Sequence, residues 1–371
     1  MKIDAHYYAI LGFSRGCGFK KDPALLIAHT SQFVDDARIN HIVISGDPPG
    51  IHHDIINKEP CFFNMATCHS YARVKTFNYS SMTGNTTPFH FVPGLKGENF
   101  PKRLRCAEES PVITTIVNEA LDDGNLIKLG LALHPYLDTF SHQGFSGILS
   151  KVNDIKNCRA LSHIPGGLLS SLIRMFKYVL KGSFDRLLDS GVPAYGHGQA
   201  MEYPDLPFLR WSYEYDYSDE FSEGYRSTGS IENADRYRRA FSRIKEYLSD
   251  YLNRHPEYRD NNVSFRDFTL LFDTLTSQGT DKARIKRWCE TLLSAGLIED
   301  GDSALSYDKD LWLKEAFANY VKEAFNKRKV VGALLVDNFA TSNWYQYYLA
   351  VMWYKERFFT VCKEQGLPIP R

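Results

Sequence analysis

The segment LALHPYLDTFSHQGFSG, residues 131–147, carries His134, Asp138 and His142 at intervals of four residues. On an α-helix the three side chains would lie on one face, because each residue advances the chain by about 1.5 Å and turns it by about 100°. Imidazole nitrogens and a carboxylate are ligands that zinc, iron and manganese accept. Apolar neighbours would bury this face, and buried polar groups need partners. The segment therefore predicts a metal-binding helix; the alternative is a face satisfied by hydrogen bonds alone.

The bulk composition favours a large globular chain without an extreme charge. Of 371 residues, 43% are apolar, and 44 basic residues balance 44 acidic ones. This balance gives no electrostatic sign of a protein that binds duplex nucleic acid. The seven cysteines are scattered without a CxxC pair, which is typical of reduced thiols. With neither a signal peptide nor an apolar stretch of about 18 residues, we expect a cytoplasmic protein without a transmembrane segment.

Helix signals dominate the chain and predict an all-α fold of many helices with long loops. A proline follows a capping residue at Asp22-Pro23 and at Ser110-Pro111, which is typical of helix starts. Strand alternation is scarce, with short candidates only at 41–46 and 304–308. Further helices are predicted over 125–144, 167–182, 231–254, 266–277, 281–296, 309–328 and 339–365.

The distribution of histidines suggests a functional part and an extension. Eleven of the twelve histidines precede residue 225, since only His255 follows it. We therefore predict a metal-binding domain over residues 1–224 and a helical extension over 225–371 packed on it. The aromatic run SNWYQYYLAVMWYKERFF, residues 342–359, predicts a helix that is either buried or forms a homodimer.

Further metal-ligand residue types recur in four other segments. Asp4 and His6 are two apart and would share one side of an extended backbone. In the helix predicted after Pro23, His29, Gln32 and Asp36 share one face, with Asp35 beside them. A further histidine, His90, lies between aromatic residues in PFHFVP, and His197 lies in GHG ahead of Glu202 and Asp205. These segments contribute the candidates His29, Gln32, Asp35, Asp36, His90, His197, Glu202 and Asp205.

The order of the motifs DAHYY, HTSQFVDDA, FHFVP, HPYLDTFSHQG and GHGQAMEYPD resembles the superfamily of zinc-dependent phospholipases C and fungal single-strand nucleases. More closely, it resembles an uncharacterised bacterial family distantly similar to those enzymes. The resemblance covers roughly residues 1–211. Since the superfamily is all-helical and holds three zinc ions in a cleft, the resemblance implies a phospholipase C/nuclease-like helical core with two or three zinc ions. Manganese and iron are alternatives to zinc.

The resemblance also implies roles for individual residues. Asp138 would bridge two ions, and Asp36 would either ligate an ion or orient the attacking water. Asp4 would stand in for the amino-terminal ligand of the superfamily, and Glu202 or Asp205 for the acid that follows its last histidine. The implied ligands are His6, Asp36, His90, His134, Asp138, His142 and His197, with His29, Gln32, Asp35 and Glu202 orienting them through hydrogen bonds.

The chemistry implied is hydrolysis of a phosphomonoester or phosphodiester. Two divalent ions bridged by a carboxylate activate a shared water and hold the attacking and leaving oxygens of a phosphoester. Two alternatives stay open. His53-Asp54 is the adjacent dyad that HD-type nucleotide phosphohydrolases use, and a metal site closed by protein ligands would belong to a non-enzymatic, metal-stabilised helical interaction protein.

Overall fold

The computed structural model describes residues 1–68, 79–165, 194–215 and 228–370. Two π-helices, Asp4–Ala9 and Met82–Thr86, each run directly into an α-helix. The predicted helix 167–182 lies outside the described residues. The described α-helices are Ile10–Cys17 (α1), Lys21–Asp36 (α2), Tyr79–Ser81 (α3), Thr87–His90 (α4), Phe100–Arg103 (α5), Pro111–Asp123 (α6), Leu126–Ser141 (α7), Asn233–Arg254 (α8), Phe268–Leu275 (α9), Asp281–Ser294 (α10), Leu311–Ala316 (α11), Lys322–Phe325 (α12) and Asn343–Glu364 (α13).

The prediction of an all-α fold was wrong, because the described residues also contain two β-sheets and form an α+β fold. One sheet has the order β2-β3-β1-β7, in which β1 and β7 are parallel and the other pairs antiparallel; the second is antiparallel with the order β4-β5-β6. The strands are His41–Ile44 (β1), Asp54–Ile56 (β2), Glu59–Phe63 (β3), Ile155–Ala160 (β4), Arg210–Tyr215 (β5), Ile231–Glu232 (β6) and Lys329–Ala333 (β7).

The physical reason for this correction is strand length. Each strand spans two to six residues, too few for an alternating pattern to stand out in the sequence. The candidate at 41–46 is confirmed as β1, which pairs in parallel with a strand from the far end of the chain. The candidate at 304–308 is wrong: Ser303–Leu305 is a 3₁₀ turn capped by Asp302. The helix predicted over 309–328 is interrupted and forms only α11 and α12.

Helix α7, which carries the His134–Asp138–His142 series, lies at the centre of the molecule. The Asn125 side chain caps its start by accepting hydrogen bonds from the next turn. Every residue of α7 except Lys128 is buried. Helix α2 lies against it at Gly130, where a Cβ atom would lie 2.6 Å from the Ile27 carbonyl oxygen. Glycine thus permits the contact that brings α2 beside the series.

A continuous core joins the two parts into which we divided the chain. Its main cluster extends from Met1 to Ile369 and includes side chains from both ranges. Helix α13 packs against α6 and α7, and the Tyr354 hydroxyl donates a hydrogen bond to the Pro88 carbonyl oxygen. Burial of the aromatic helix is therefore confirmed, while the homodimer stays a prediction. No helix among the described residues is both long and apolar enough to cross a membrane.

Candidate metal centre

The carboxylate of Asp138 lies at the centre of a buried cluster of histidines and acids. Its Oδ2 atom is 3.3 Å from His90 Nδ1, 3.5 Å from His134 Nε2 and 3.7 Å from His142 Nδ1. Its Oδ1 atom is 3.2 Å from His6 Nε2 on the other side. Asp138 itself is 1% exposed. The two oxygens of this carboxylate therefore face four histidines, as those of a bridging ligand do. His134 and His142 lie one turn before and one turn after Asp138, whereas His6 and His90 come from other parts of the chain.

Potential ligand atoms in this cluster form three groups, within each of which all atoms lie within 4.8 Å of one another. Two groups share His134, and the third has no member in common with them. Within the part of the chain that the structure describes, the groups are His6, His134 and Asp138; Asp35, His90 and His134; and His142, His197 and Asp205. The donor set consists of imidazole nitrogens and carboxylate oxygens, which suits zinc, manganese or iron.

Backbone carbonyl oxygens fix the orientation of four imidazole rings. His134 Nδ1 lies 2.7 Å from the Ser31 oxygen, and His90 Nε2 lies 2.9 Å from the Thr67 oxygen. His142 and His197 have the same kind of contact, from Nδ1 to the carbonyl oxygens of His90 and Met201 at 2.7 Å and 2.8 Å. Because a carbonyl oxygen only accepts hydrogen bonds, the contacting nitrogen must carry the proton. The opposite nitrogen of each neutral ring therefore directs a lone pair into the cluster.

On the side of Asp35, the ring nitrogens opposite these backbone contacts face one another and a carboxylate. His134 Nε2 and His90 Nδ1 are 3.3 Å apart, and the Asp35 Oδ1 atom lies 3.7 Å and 3.9 Å from them. Acceptors that converge in a buried site repel one another unless a proton or a cation lies among them. The Met1 ammonium group supplies one positive charge at Asp138 and Asp205, but no ion pair of that group with Asp35 is seen among the described residues. Ring orientation by a backbone carbonyl is also the usual support of a metal-binding histidine. The residues present thus fit a divalent metal ion.

The elements that supply these side chains explain the geometry. His6 lies in the π-helix Asp4–Ala9, and His90 ends α4 directly after the π-helix Met82–Thr86. Such wide turns are rare and occur often at functional sites, because the additional residue rotates the side chains that follow. His197 directly precedes the 3₁₀ turn Gly198–Ala200, and Asp205 ends the 3₁₀ turn Tyr203–Asp205. The series on α7 thus meets ligands from segments far away in the sequence.

Electrostatics favour the metal-binding protonation state for part of the cluster and oppose it at His90 and Asp35. Burial alone would lower the pKa of His90, but the contacts with Asp138 and Asp35 raise it, and burial raises the pKa of Asp35. Burial lowers the pKa of His197 to about 4 and the pKa of His6 well below its usual value. Burial alone would raise the pKa of Asp138, but the adjacent His142 ring, the Met1 amino group and the His134 ring hold it well below the usual range. The pKa of Asp205 is lowered for the same kind of reason, chiefly by the Met1 amino group. Neutral imidazoles and ionised carboxylates are the forms that bind metal ions.

The α-amino group of Met1 lies inside the cluster. It donates a hydrogen bond to Asp138 Oδ1 at 2.6 Å and lies 3.2 Å from Asp205 Oδ1. Burial lowers its pKa, but the carboxylates of Asp138, Asp205 and Asp35 outweigh that effect and raise the pKa to about 11. A positive charge thus lies between two of the carboxylates. The resemblance implied an amino-terminal ligand, whose role the sequence interpretation gave to Asp4, but it is the Met1 amino group that lies here.

Several predicted site residues lie outside the three groups of described residues. Asp36 accepts a hydrogen bond from the Gln32 amide, while its neighbour Asp35 faces His90 and His134. Asp4 is paired with Arg284 rather than directed at the cluster. The remaining two form other contacts: Glu202 with the Lys2 ammonium group, and His29 with the rings of Tyr307 and Trp312.

The HD-type dyad also lies outside the groups. His53 Nε2 is 3.1 Å from Asp47 Oδ1, and His53 Nδ1 contacts the Ile51 carbonyl oxygen. Asp54 begins β2 and is not on a helix. The dyad therefore lacks, among the described residues, the helical setting and the partner histidines of such a site.

An open cleft of about 760 Å³ reaches the cluster from the surface. Met1 and Asp35 line its inner end, where the Asp35 side chain is 31% exposed. Its charged lining consists of three lysines and five aspartates: Lys2, Lys309, Lys322, Asp35, Asp36, Asp281, Asp308 and Asp310. The cluster is therefore accessible to a molecule from solution on the side of Asp35.

A family model for a family of unknown function, DUF6765, matches residues 1–362. Neither the curated proteins nor the solved structures contain a match to the chain. Since the match covers nearly the whole length, the chain belongs to the DUF6765 family.

Proposed function

We propose that this chain is a metal-dependent phosphoester hydrolase that uses two or three divalent ions, with zinc as the first candidate. The observation that carries the proposal is the convergence of buried imidazole nitrogens from four histidines on the two oxygens of Asp138. The proposed ligands are His6, Asp35, His90, His134, Asp138, His142, His197 and Asp205. The motif order that resembles phospholipases C and single-strand nucleases supports the same reaction class.

The open cleft favours an enzyme over a structural metal site. A structural site is closed by protein ligands, whereas a catalytic one leaves a position for water or substrate. Here the inner end of the cleft lies at Asp35, so a substrate can reach that carboxylate. The cleft lining carries more aspartates than lysines, so its net charge does not attract an anion, and a phosphoester would be held by bound divalent ions and by individual ammonium groups such as that of Lys309.

The chain's own residues have separable tasks in this proposal. Bound divalent ions would supply Lewis acidity, which activates water and neutralises charge on the phosphoester. Asp138 would hold the ions together, since both its oxygens face histidines. The backbone carbonyl oxygens of Ser31 and Thr67 keep the rings of His134 and His90 in the metal-binding tautomer. Asp35 would contact the substrate side of the cluster.

Hydrolysis of generic chromogenic phosphoesters tests the proposal. The purified chain is loaded separately with zinc, manganese and iron, and its bound metal is measured before each assay. We expect turnover of bis(para-nitrophenyl) phosphate or para-nitrophenyl phosphate with at least one metal. Asp138→Asn should abolish the turnover, while Asp300→Asn, a change of an exposed aspartate far along the chain, should not. A chain with measured bound metal and no turnover of either substrate would contradict the hydrolase.

A further inference from the structure

A buried ion pair joins the start of the chain to helix α10. Arg284 Nε donates a hydrogen bond to Asp4 Oδ2 at 2.7 Å, and Arg284 Nη2 donates one to Asp4 Oδ1 at 3.2 Å. Arg284 is 1% exposed and Asp4 is 2% exposed. Both oxygens of Asp4 are thus engaged by one guanidinium group in a two-pronged geometry.

The remaining contacts of Arg284 fix the guanidinium group itself. Nη2 also donates a hydrogen bond to Asp281 Oδ1 at 3.1 Å, and Nη1 donates one to the Gly279 carbonyl oxygen at 3.0 Å. Asp281 in turn accepts hydrogen bonds from the Lys2 ammonium group. The beginning of α10 therefore holds residues 2 and 4 of the chain at two points.

The two residues held in this way, Lys2 and Asp4, come just before His6, a proposed metal ligand. Asp4 opens the π-helix Asp4–Ala9, and His6 follows two residues later in the same turn. The His6 ring stacks on the His134 ring with a centroid distance of 3.8 Å and has Nε2 directed at Asp138. No hydrogen bond from a described residue reaches His6 Nδ1. His6 thus lacks the backbone carbonyl contact that orients four other rings of the cluster, and its position depends on the helix turn that carries it.

We infer that Arg284 is a positioning residue for the metal centre, which holds the Asp4–Ala9 turn so that His6 faces Asp138. The inference rests on the proposed metal site and extends it to residues 281–284, beyond the part of the chain that carries the motif resemblance. It also explains why Asp4, a residue of ligand type near His6, is not directed at the cluster. A buried ion pair is weak evidence for stability alone, because desolvation offsets much of its attraction.

Metal binding by a small set of variants tests this role. Arg284→Met removes the guanidinium group, His6→Ala removes the imidazole, and Leu292→Ala removes a buried side chain from the same helix without touching the ion pair. Bound zinc per chain and its dissociation constant are measured by elemental analysis and chelator competition, and unfolding is followed by circular dichroism. We expect Arg284→Met to lose the same ion as His6→Ala, or to weaken its binding at least tenfold. Leu292→Ala should lower the melting temperature and leave zinc binding within about threefold of wild type.

The combination of variants separates positioning from stability. If Arg284 acts through His6, the double variant His6→Ala, Arg284→Met should bind no less zinc than His6→Ala alone, because the two changes affect one site. Arg284→Lys keeps the charge but not the two-pronged contact, so it should weaken zinc binding partially, and it replaces Arg284→Met if that variant does not fold. Wild-type zinc affinity in both Arg284 variants would overturn the inference. Absence of bound metal in the wild-type chain would instead refute the proposed function.

Discussion

His142 Nδ1 donates a hydrogen bond to the backbone carbonyl oxygen of His90 at 2.7 Å, so one proposed ligand orients another. His142 ends the helix that carries His134 and Asp138, whereas His90 ends a short helix from another part of the chain. The ring of Phe91, the residue after His90, also stacks on the His142 ring with a centroid distance of 4.8 Å. The ligand groups are thus coupled through the backbone, so a substitution in one group should alter the geometry of another.

Asp35 and Asp36 provide a matched pair for testing which carboxylate serves the metal centre. Asp35 lies in a group with His90 and His134, whereas Asp36 accepts a hydrogen bond from Gln32. We predict that Asp35→Asn weakens metal binding by roughly 10–100-fold, the range found when groups that support metal ligands are lost. Asp36→Asn should stay within about threefold of wild type. Titration with a chelator measures both, and the reverse order would refute the assignment of Asp35.

Gly130 should control how closely α2 approaches the ligand helix. An added Cβ atom would lie 2.6 Å from the Ile27 carbonyl oxygen and 2.8 Å from the Thr30 Cβ atom, so Gly130→Ala must push the helices apart. We expect a loss of roughly 1–3 kcal/mol in the free energy of unfolding, which is typical of overpacking. Metal binding should weaken as well, because Ser31 on α2 orients His134.

Gly84→Ala is the control for this change. A Cβ atom at Gly84 would meet nothing within 4 Å, and its backbone does not need a positive φ angle. Urea denaturation with and without added zinc measures both variants. Equal stability of Gly130→Ala and Gly84→Ala would show that the close contact does not matter.

Lys355 should make stability depend on pH. Its ammonium group is buried on α13 and donates hydrogen bonds to the Asn64 carbonyl oxygen at 2.6 Å and to Asn85 Oδ1 at 2.7 Å. Burial lowers the pKa of Lys355 from 10.5 to about 7. Between these two values the unfolded chain binds a proton that the folded chain does not, so this group makes the free energy of unfolding rise with pH. The slope can reach about 1.4 kcal/mol per pH unit.

The difference in unfolding free energy between wild type and Lys355→Met isolates this contribution. We expect that difference to increase in favour of wild type as the pH rises from about 7 to about 10, because protonated Lys355 carries the full cost of burial. Lys363→Met, on an exposed position of the same helix, should show no such trend. Urea denaturation across this pH range measures all three chains. A difference that is constant with pH would refute the lowered pKa of Lys355.

The sequence predicted the ligand helix and several of its partners for clear physical reasons. His134, Asp138 and His142 follow a helical period, and His6, His90 and His197 were predicted from the recurrence of ligand residue types and from the motif order, although each alone is a weak signal. The choice between Asp35 and Asp36 was not accessible, since adjacent acids differ only by about 100° around the helix axis. The two sheets were missed because their short strands pair across long sequence separations. Pairing of Asp4 with Arg284 likewise depends on a tertiary contact that no local pattern contains.

The metal content of the purified chain tests the central claim most directly. Elemental analysis after exposure to zinc, manganese or iron, followed by removal of free metal, should find two or three divalent ions per chain, in keeping with the three ligand groups. Asp138→Asn should lose most of the bound metal, while Asp300→Asn should keep it. Less than one ion per wild-type chain with every metal, or equal content in wild type and Asp138→Asn, would contradict a metal centre built around Asp138.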